Sequence, residues 1–531
     1  MENQALLSRI DQLNIIGRAL SAEKDHTTLL EMILKAAKKL TNANAGTLYT
    51  VQPDKKLRFE FIINDQLSFF WKRSGATALF PTDDIPLYNE DMKPNDHMVV
   101  VYCVNQDKTV NIADAYSAYK FDFSGTRKFD QKTGYHCTSM LTVPMKNHDG
   151  EIIGVLQLIN AQNDQKIVPF SETDQSLVES LASQAAVAMT NQALIQGLKE
   201  LFESFIKVLA DAIDQKSPVT GRHCQRVPVI AMLLAQAVNQ MQEGPLKEAR
   251  FTLDQLYELE IAALLHDCGK VVTPVNVVEK ATKLEAIYDR ILDLETRIMV
   301  LKKDALLKAS EAKLALLQKQ LNDHTIEFQK IDADTQIIIN KYDQDIAFLK
   351  ECNQGHESSE SSWKDRIKEI SSYPWQVNGQ NVPFLSEDEV TNLLIEKGTL
   401  TAEERKIIQN HVVMTKRMLD QIPYPKNLKD VPEIASCHHE RIDGKGYPAG
   451  LTRFQMSLRA RILAIADIFE ALTAPDRPYK KPMPLSKALA IMETLKKEGH
   501  LDPDLFDVFI NQKVYLTYAR KNLVQDQIDV Q

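Results

Sequence analysis

HHERIDGKGYP, at residues 438–448, decides how the second half of this chain is interpreted, together with HDCGK at residues 266–270. Both stretches combine imidazole and carboxylate side chains, which are common ligands of divalent metal ions. HDCGK follows an apolar run, Leu259 to Leu265, that predicts a buried helix. The two stretches therefore point to a metal site built by helices that are far apart in the sequence.

Three more candidate ligands occur in similar contexts. His223 follows a Thr220-Gly221 turn, His411 falls in a predicted helix from Ala402 to Leu419, and Asp467 lies in a predicted apolar helix from Ala460 to Leu472. An ionised carboxylate among apolar neighbours is costly to bury without a cation or a hydrogen-bond partner. The sequence therefore predicts seven ligands that can surround a metal pair: His223, His266, Asp267, His411, His438, His439 and Asp467.

Two local predictions accompany this site. We expect His438 and His439 to be consecutive residues of a helix from Val431 to His439. We also expect Gly269 to end the helix that carries His266, so that Lys270 turns back toward the site as a fixed positive charge. A single histidine is more often an ordinary core or surface residue than a ligand, so only the whole set carries the argument.

The bulk properties narrow the class of protein. With 531 residues the chain is too long for one ordinary core, which predicts several structural units. The net charge of −9 argues against a broad basic surface for nucleic acid. The six scattered cysteines form no CxxC pair and are typical of reduced thiols, so we expect a cytoplasmic protein. The longest apolar stretch, Val227 to Val238, is too short to span a bilayer, and no membrane anchor is expected.

Residues 27–191, after an expected N-terminal helix at 1–26, have the mixed pattern of an α+β domain. An amphipathic helix with apolar residues from Leu29 to Leu40 leads into short apolar runs, and Asp149-Gly150 predicts a hairpin between two of them. The segment resembles a GAF domain in SMLTVP at 139–144, GVLQLIN at 154–160 and FSETD at 170–174. The resemblance implies a sensor domain for a small ligand whose identity the sequence does not give.

The GAF signature associated with cyclic nucleotides is only partly present. Asn160, Phe170 and Asp174 match it, but Ala161 and Gln175 stand at the positions where charged residues belong. Cyclic-nucleotide binding and simple bracing of the fold both stay open, because a fold does not fix a ligand.

A long helix is predicted from Thr173 to Asp214, and residues 192–214 of it connect the two domains. Its apolar residues recur at alternating spacings of three and four. They are Leu194, Leu198, Leu201, Phe205 and Val208. Such a seam either pairs with a second copy, giving a homodimer, or packs on its own domain, and the sequence leaves both alternatives open.

Residues 283–381 separate the two metal-type motifs. Apolar residues here keep a heptad spacing that forms a seam, which predicts an antiparallel helical hairpin. The seam residues are Leu284, Ile287, Ile291, Leu294, Ile298, Leu301 and Ala305 and, after a polar break, Leu314, Leu317, Leu321, Phe328 and Ile331. The segment from Asn353 to Asn381, with its serines and Pro374, is interpreted as a loop that returns to the main fold. We expect no catalytic role for this insertion.

Residues 202–531, apart from the insertion, resemble an HD-GYP phosphodiesterase domain. The matching blocks, in chain order, are Thr220–Val227, HDCGK, Lys397–Thr401 leading to His411, residues 438–448, and Arg461–Tyr479. The resemblance implies an all-α fold that hydrolyses the bacterial second messenger cyclic di-GMP to pGpG, with or without further hydrolysis to GMP. It also implies a centre of two or three iron or manganese ions and no other cofactor.

The resemblance further implies roles for individual residues. One metal would be held by His223, His266, Asp267 and Asp467, and the other by Asp267, His411, His438 and His439. Asp267 and Lys270 would be catalytic, with Lys270 stabilising charge on the phosphate. Lys270, Arg477, Lys480, Gly446, Tyr447 and Pro448 would contact the substrate. Val219 stands where members with a third metal carry glutamate, so two ions are expected.

Alternatives remain for the loop at 446–448 and for the function. The loop would shape the substrate groove and contact partners such as diguanylate cyclases, although its glycines and proline also suit an ordinary turn. The substrate could be another cyclic dinucleotide, such as cyclic GMP-AMP. The domain could instead be a catalytically weak scaffold that responds to cyclic di-GMP. Two buried carboxylates in apolar helices, Asp267 and Asp467, favour an enzyme over a scaffold.

Overall fold

A computed structural model describes residues 2–73, 83–164, 166–216, 222–318, 324–355, 362–474 and 482–530. The chain divides into two compact units, Met1–Phe202 and Glu203–Gln531. No helix in the described ranges combines the length and the apolar character that crossing a membrane requires.

The first unit is built around one antiparallel sheet. Its elements are α1 (Glu2–Ala22), α2 (His26–Thr41), β1 (Ala43–Val51), β2 (Lys56–Asn64), β3 (Phe69–Lys72), β4 (Ile85–Pro86), α3 (Val99–Asn105), β5 (Val110–Ile112), α4 (Ser124–Thr133), β6 (Met140–Lys146), β7 (Ile152–Asn163), β8 (Lys166–Val168) and α5 (Glu172–Lys216). The strand order is β3-β2-β1-β7-β6-β5, while β4 pairs with β2 and β8 pairs with β7. Helix α5 runs on past the last residue of this unit.

The predicted local features of this unit are present. Strands β6 and β7 form the expected hairpin, and Gly150 in the turn has a φ of 80°, which glycine adopts without steric cost. Asp25 caps α2 by accepting a hydrogen bond from the backbone N–H of Thr28 at 2.7 Å. The apolar face of α2 packs with α1 and the first half of α5 in the main core of the unit.

The three residues of the partial cyclic-nucleotide signature all make bracing contacts. Asn160 is fully buried, and its side chain accepts from the backbone N–H of Thr138 and donates to the carbonyl of His136. Phe170 lies in the main core. Asp174 accepts a hydrogen bond from the backbone N–H of Ser171 at the start of α5. These contacts give each of the three residues a structural role that requires no bound ligand.

In its described residues the second unit is helical except for one small hairpin. Its elements are α6 (His223–Gln240), α7 (Leu253–Leu265), α8 (Val275–Val278), α9 (Ile291–Leu317), α10 (Thr325–Asn353), α11 (Trp363–Ser371), β9 (Trp375–Val377), β10 (Gln380–Val382), α12 (Glu387–Leu393), α13 (Ala402–Leu419), α14 (Val431–Ser436), α15 (Leu458–Thr473), α16 (Leu485–Lys497), α17 (Pro503–Asn511) and α18 (Val514–Asn522). Short 3-10 helices occur at Cys268–Val272, Lys426–Leu428 and Gln525–Gln527.

Helices α9 and α10 lie antiparallel to each other. Ion pairs join Lys302 to Asp343 and Lys313 to Asp332, so residue numbers rise along one helix as they fall along the other. One predicted seam residue, Ile287, is 99% exposed because α9 begins only at Ile291. Leu321, another seam residue, lies outside the described residues.

The loop predicted between Asn353 and Asn381 is wrong, because this segment contains α11 and the β9–β10 hairpin. Trp363, Ile367 and Ile370 are buried at a helical spacing of four and three. Asn378-Gly379 forms the turn with φ values of 53° and 80°, the positive angles that a type I′ hairpin turn needs. The helical spacing of the apolar residues and the Asn-Gly turn were both visible in the sequence.

Candidate metal centre

The structure brings all seven predicted ligands into one cluster of the second unit. His223 is the first residue of α6, and His266 and Asp267 directly follow α7. His411 and Asp467 lie within α13 and α15. Six of the seven are buried; His439 is partly exposed. Five segments therefore contribute to one site.

His438 and His439 do not lie in a helix as predicted, because α14 ends at Ser436 and both histidines occupy the turn that follows. Consecutive residues of an α-helix point about 100° apart. In the observed turn the two rings lie 4.2 Å apart, centroid to centroid, and both approach His411. Because His438 and His439 lie in a turn and not in a helix, their two imidazoles can face the same site.

Gly269 has a different role from the predicted helix stop. Helix α7 has already ended at Leu265, and Gly269 lies in the 3-10 helix that follows. A Cβ at this position would lie 2.0 Å from the carbonyl oxygen of His411 and 2.5 Å from the backbone nitrogen of Thr415. Glycine is therefore required because the segment that carries Asp267 packs directly on the backbone of α13.

Three of the histidines are oriented in the same way. Nδ1 of His266, His411 and His438 lies 2.7, 2.5 and 2.6 Å from the backbone carbonyl oxygen of the residue three positions before it. A carbonyl oxygen can only accept, so each Nδ1 must carry the hydrogen. In the neutral ring Nε2 then presents a lone pair toward the cluster, which is the arrangement that metal-ligating histidines usually show.

The donor set around Asp267 Oδ1 fits a cation. This oxygen is buried and accepts no hydrogen bond, with Nε2 of His411 at 3.3 Å and Nε2 of His438 at 3.8 Å. The two Nε2 atoms are 3.4 Å apart. Three electron-pair donors thus converge with no hydrogen between them, which is unfavourable in a buried site unless a positive ion lies among them.

The other oxygen of Asp267 faces a second group of ligands. Nε2 of His223 and of His266 each lie 3.4 Å from Asp267 Oδ2. Asp467 Oδ1 completes this side at 3.2 Å from Nε2 of His223. The ligand atoms form two compact groups, one of His223, His266 and Asp267 and the other of His411, His438 and His439. Asp267 lies where one carboxylate can serve both.

The electrostatics of the cluster favour an ionised Asp267 and neutral rings at His438 and His439. Burial opposes the charge on Asp267, but Lys270 and His266 hold the pKa of this carboxyl well below its usual value. Burial lowers the pKa of His438 well below the ordinary value and that of His439 to about 4, so both rings are neutral near pH 7. Despite burial, hydrogen bonds to Asp267, Asp467 and Glu470 raise the pKa of His223.

Lys270 is the one cation that contacts this cluster among the residues described. Its Nζ lies 2.5 Å from Asp267 Oδ2, and its side chain is 20% exposed. Burial alone would lower the pKa of this amine, but Asp267 raises it, so Lys270 stays charged. The expected positive charge is therefore beside the ligands. Arg477 and Lys480, the other expected phosphate contacts, lie outside the described residues.

Several residues that support the site were not singled out in the sequence. Glu470 is buried and accepts hydrogen bonds from Nδ1 of His223 and from Nε of Arg226. It follows Asp467 by three residues, so it shares a face of α15, and this spacing could have revealed it. Thr415 Oγ1 donates to the carbonyl of His266 and accepts from the backbone N–H of Gly269 at 2.9 Å.

The loop after the double histidine is fixed to the site. The buried carboxylate of Glu440 accepts hydrogen bonds from the backbone N–H groups of Ala449 and Leu451 at 2.7 and 2.9 Å. The ring of Tyr447 stacks on His439 with centroids 4.9 Å apart. Gly446 permits the close return of the chain, since a Cβ there would lie 2.3 Å from the backbone nitrogen of Arg441.

A cavity of about 490 Å³ opens beside this loop. It is lined by Val413, Lys416, Arg417, Asp420, Gln421, Pro448 and Ala449. Pro448 therefore faces a space large enough for part of a nucleotide, next to the helix that carries His411.

Comparisons with known proteins identify both units. The family model for the GAF domain matches residues 25–189, and the model for the HD domain matches residues 385–505. The HD match includes His411, the double histidine and Asp467, whereas HDCGK at 266–270 lies before it.

Curated bacterial proteins are similar to parts of this chain. A 3′3′-cGAMP-specific phosphodiesterase of Vibrio cholerae is 40% identical over 118 residues, which is 22% of this chain and 25% of that protein. A cyclic di-GMP phosphodiesterase of Pseudomonas aeruginosa is also 40% identical over 118 residues, covering 22% of this chain and 27% of that protein.

The longest of these alignments is to a cyclic di-GMP phosphodiesterase of Thermotoga maritima. That protein is 26% identical over 256 residues, or 46% of this chain and 66% of the relative. The chain thus spans between a quarter and two thirds of the length of these three relatives. It contains a GAF domain followed by an HD domain, and parts of it are similar to parts of bacterial cyclic dinucleotide phosphodiesterases.

Proposed function

We propose that this protein is a metal-dependent phosphodiesterase of the HD-GYP type that hydrolyses cyclic di-GMP to pGpG, with further hydrolysis to GMP as a second step. The observation that carries the proposal is the convergence of Asp267 Oδ1 with Nε2 of His411 and His438, three buried donors without a shared hydrogen. The activities named for the relatives support the substrate class.

The ligand geometry supports a centre of two ions, for which iron and manganese are the candidates. One ion would be held by His223, His266, Asp267 and Asp467, and the other by Asp267, His411, His438 and His439. When bound, such ions supply Lewis acidity and a water that is nucleophilic near neutral pH. Two rather than three ions are proposed because Val219, which lies outside the described residues, offers no carboxylate.

The chain's own groups would then orient and neutralise the substrate. Asp267, whose two oxygens face the two groups of imidazoles, would hold the ions beside which the reacting phosphate binds. The charged amine of Lys270 lies against Asp267 and would offset the negative charge that builds up on phosphorus. We assign Asp267 and Lys270 the catalytic roles on this basis.

The substrate's remaining parts would lie along the loop at 446–448. Tyr447, stacked on His439, and Pro448, at the edge of the 490 Å³ cavity, give this loop a rigid surface beside the ligands. Arg477 and Lys480 are proposed to hold the second phosphate, a contact for which guanidinium groups are suited. The same loop is a candidate contact for partner proteins such as diguanylate cyclases.

The domain plan is part of the proposal. We place an N-terminal helix at 1–26, the GAF sensor at 27–191, the connecting helix at 192–214 and the phosphodiesterase domain at 202–531, with residues 283–381 as an inserted hairpin and returning segment. In this plan a small ligand of the GAF domain biases the catalytic domain through α5, which is one unbroken helix of 45 residues. The six free cysteines suit a cytoplasmic setting.

A second substrate is supported by a specific observation. The Vibrio cholerae relative that is 40% identical over 118 residues is named as specific for 3′3′-cGAMP. Cyclic GMP-AMP is therefore the alternative substrate. A catalytically weak scaffold is a weaker alternative, because a scaffold does not need a buried aspartate surrounded by imidazoles.

The test is hydrolysis by the full chain loaded with iron or manganese under anaerobic conditions. Cyclic di-GMP and 3′3′-cGAMP are supplied at equal concentration, and products are resolved by chromatography. We expect conversion of cyclic di-GMP to pGpG by the wild type and a loss of at least about 100-fold in Asp267→Ala. Faster turnover of 3′3′-cGAMP would select the alternative substrate, and no turnover of either with either metal would contradict the proposal.

A further inference from the structure

Helix α5 exposes a continuous apolar face. Within the first unit this face, called the α5 seam, consists of Val187, Leu194, Ile195, Leu198 and Leu201. Each of these side chains is between 48% and 68% exposed. The same helix continues the pattern with Phe205 and Val208, which are 61% and 63% exposed. Large apolar side chains at this exposure and in this continuity are typical of an interaction surface.

The spacing of the seam is that of a coiled coil. Leu194, Leu198 and Leu201 follow one another by four and three residues, and Phe205 and Val208 repeat those steps. Extending the pattern toward the N-terminus places Asn191, which is exposed, at an a position of the heptad and Val187 at the preceding d position. Ile195 lies at the adjacent e position and makes the apolar face wider.

The other face of α5 is already occupied. Val178, Ala182 and Ala185 pack in the core of the first unit, and Ile206 and Ala210 are buried farther along the helix. These residues fall at b and f positions of the same heptad, away from the seam. The helix therefore has one face committed to its own fold and one face free among the described residues.

The geometry points to a second copy of this chain as the occupant of the α5 seam, with the two α5 helices parallel and in register. An apolar seam that repeats every heptad is complementary to itself, as a two-fold interface requires. Asn191 favours the parallel arrangement, because the two amides then meet and share hydrogen bonds. In an antiparallel pair each amide would face an apolar side chain and lose them.

The size of the surface is sufficient for a stable pair. A buried side chain of this kind contributes on the order of 100 Å², so the seven apolar residues from Val187 to Val208 offer roughly 700 Å² in each copy. A pair would bury about 1,400 Å², which is in the lower part of the range of stable protein interfaces. The inference is independent of the proposed reaction, since a pair could form whether or not the metal centre is active.

The first test measures the mass of the full chain in solution at about 10 µM by sedimentation or light scattering. We expect a dimer for the wild type and a monomer for the double variant Leu198→Glu, Leu201→Glu. Losing two buried leucines and adding like charges should weaken association by about 100-fold or more. The matched control is Gln196→Glu, which adds a charge at an exposed f position on the same helix and should leave the dimer intact.

A second measurement fixes the direction of the helices. Leu194→Cys and Leu201→Cys are tested separately under mild oxidation, with the wild type as the background for the native thiols. A parallel pair in register brings each new cysteine against its own counterpart, within the Cα separation of about 4.4–6.8 Å that a disulfide needs. Both variants should give a covalent dimer, and Gln196→Cys should not.

A monomeric wild type would overturn the inference, and so would a dimer that the double glutamate variant does not weaken. Circular dichroism shows whether that variant is folded; if it is not, the cysteine variants, which change single exposed positions, decide the question. A dimer that forms no disulfide at either cysteine position would overturn the parallel arrangement.

Discussion

Oδ1 of Asp267 lies 3.3 Å from Nε2 of His411, and neither atom has a hydrogen to share with the other. The hydrogen of His411 is on Nδ1, where the backbone carbonyl of Ile408 accepts it. Two buried acceptors at this distance repel each other unless positive charge lies between or beside them, and a metal ion bound by both supplies it. This contact links a residue at the end of α7 to one in α13, and it is the structural reason for assigning a metal to the site.

Glu470 should matter for metal affinity although it does not reach the ligand cluster's centre. Glu470→Gln keeps the shape of the side chain and removes the charge that orients His223 and Arg226. Loss of such an outer partner typically costs 10–100-fold in metal affinity, and we expect about 10-fold or more. Competition against a chromophoric chelator measures it.

The control for that experiment is Glu389→Gln. Glu389 is also buried, but it caps α12 and pairs with Arg297, away from the ligands. Equal metal affinity of Glu470→Gln and the wild type would show that His223 needs no such support.

Gly269→Ala should be strongly destabilising. The added Cβ would overlap the backbone of α13 at His411 and Thr415, and backbone cannot move aside as a flexible side chain does. Overpacking of this kind costs about 1–3 kcal/mol of unfolding free energy, occasionally more. Urea denaturation of the metal-free protein gives the value. Gly125→Ala in α4, where the Cβ meets nothing within 4 Å, should change the free energy by less than about 1 kcal/mol. Similar values for the two variants would contradict the packing described.

Glu440 should control the order of the loop at 446–448 without holding metal. Its carboxylate accepts from two backbone N–H groups of the loop, and an amide in Glu440→Gln would direct a donor at one of them. We expect a KM for cyclic dinucleotide roughly 10-fold higher, since about 1.4 kcal/mol of lost loop order corresponds to that factor. Metal content per chain should equal that of the wild type. A variant that loses its metal instead would place Glu440 in the support of the ligands.

His500 should contribute a pH dependence to stability. Burial and the nearby Arg441 lower the pKa of this half-buried imidazole, although Asp443 and Glu498 oppose the effect. Since the unfolded chain binds the proton more readily, stability is fully present above the unfolded pKa of about 6.5 and falls as the pH drops toward the folded pKa. His500→Gln should therefore lose less unfolding free energy between pH 7.5 and pH 5.5 than the wild type. If the variant lost as much unfolding free energy as the wild type, or more, the expected effect of His500 would be contradicted.

Much of the second unit could be predicted from local signals. The helix from Ala402 to Leu419 is confirmed, because Thr401 and Glu404 form a capping box that fixes its start. The apolar helix around Asp467 is confirmed as well, with one or two extra residues at each end. The seven residues predicted as ligands from their type and order lie close together, although their segments are separated by up to about half of the chain.

The features that sequence reasoning missed depend on contacts between segments. The sequence contains no local stop signal that would end α14 before His438 and His439. The turn that follows α14 brings both rings close to His411. The need for glycine at 269 arises from α13, which follows more than a hundred residues later. The hairpin at Asn378-Gly379 is a different case, since its turn signal was visible but was included in a segment interpreted as a loop.

The most direct test of the metal centre is the elemental composition of the protein purified without oxygen. Two divalent ions per chain in the wild type and close to none in Asp267→Ala is the result that this site predicts, because both groups of ligands share that carboxylate. A wild type without bound metal, or an Asp267→Ala variant that retains as much metal as the wild type, would contradict it.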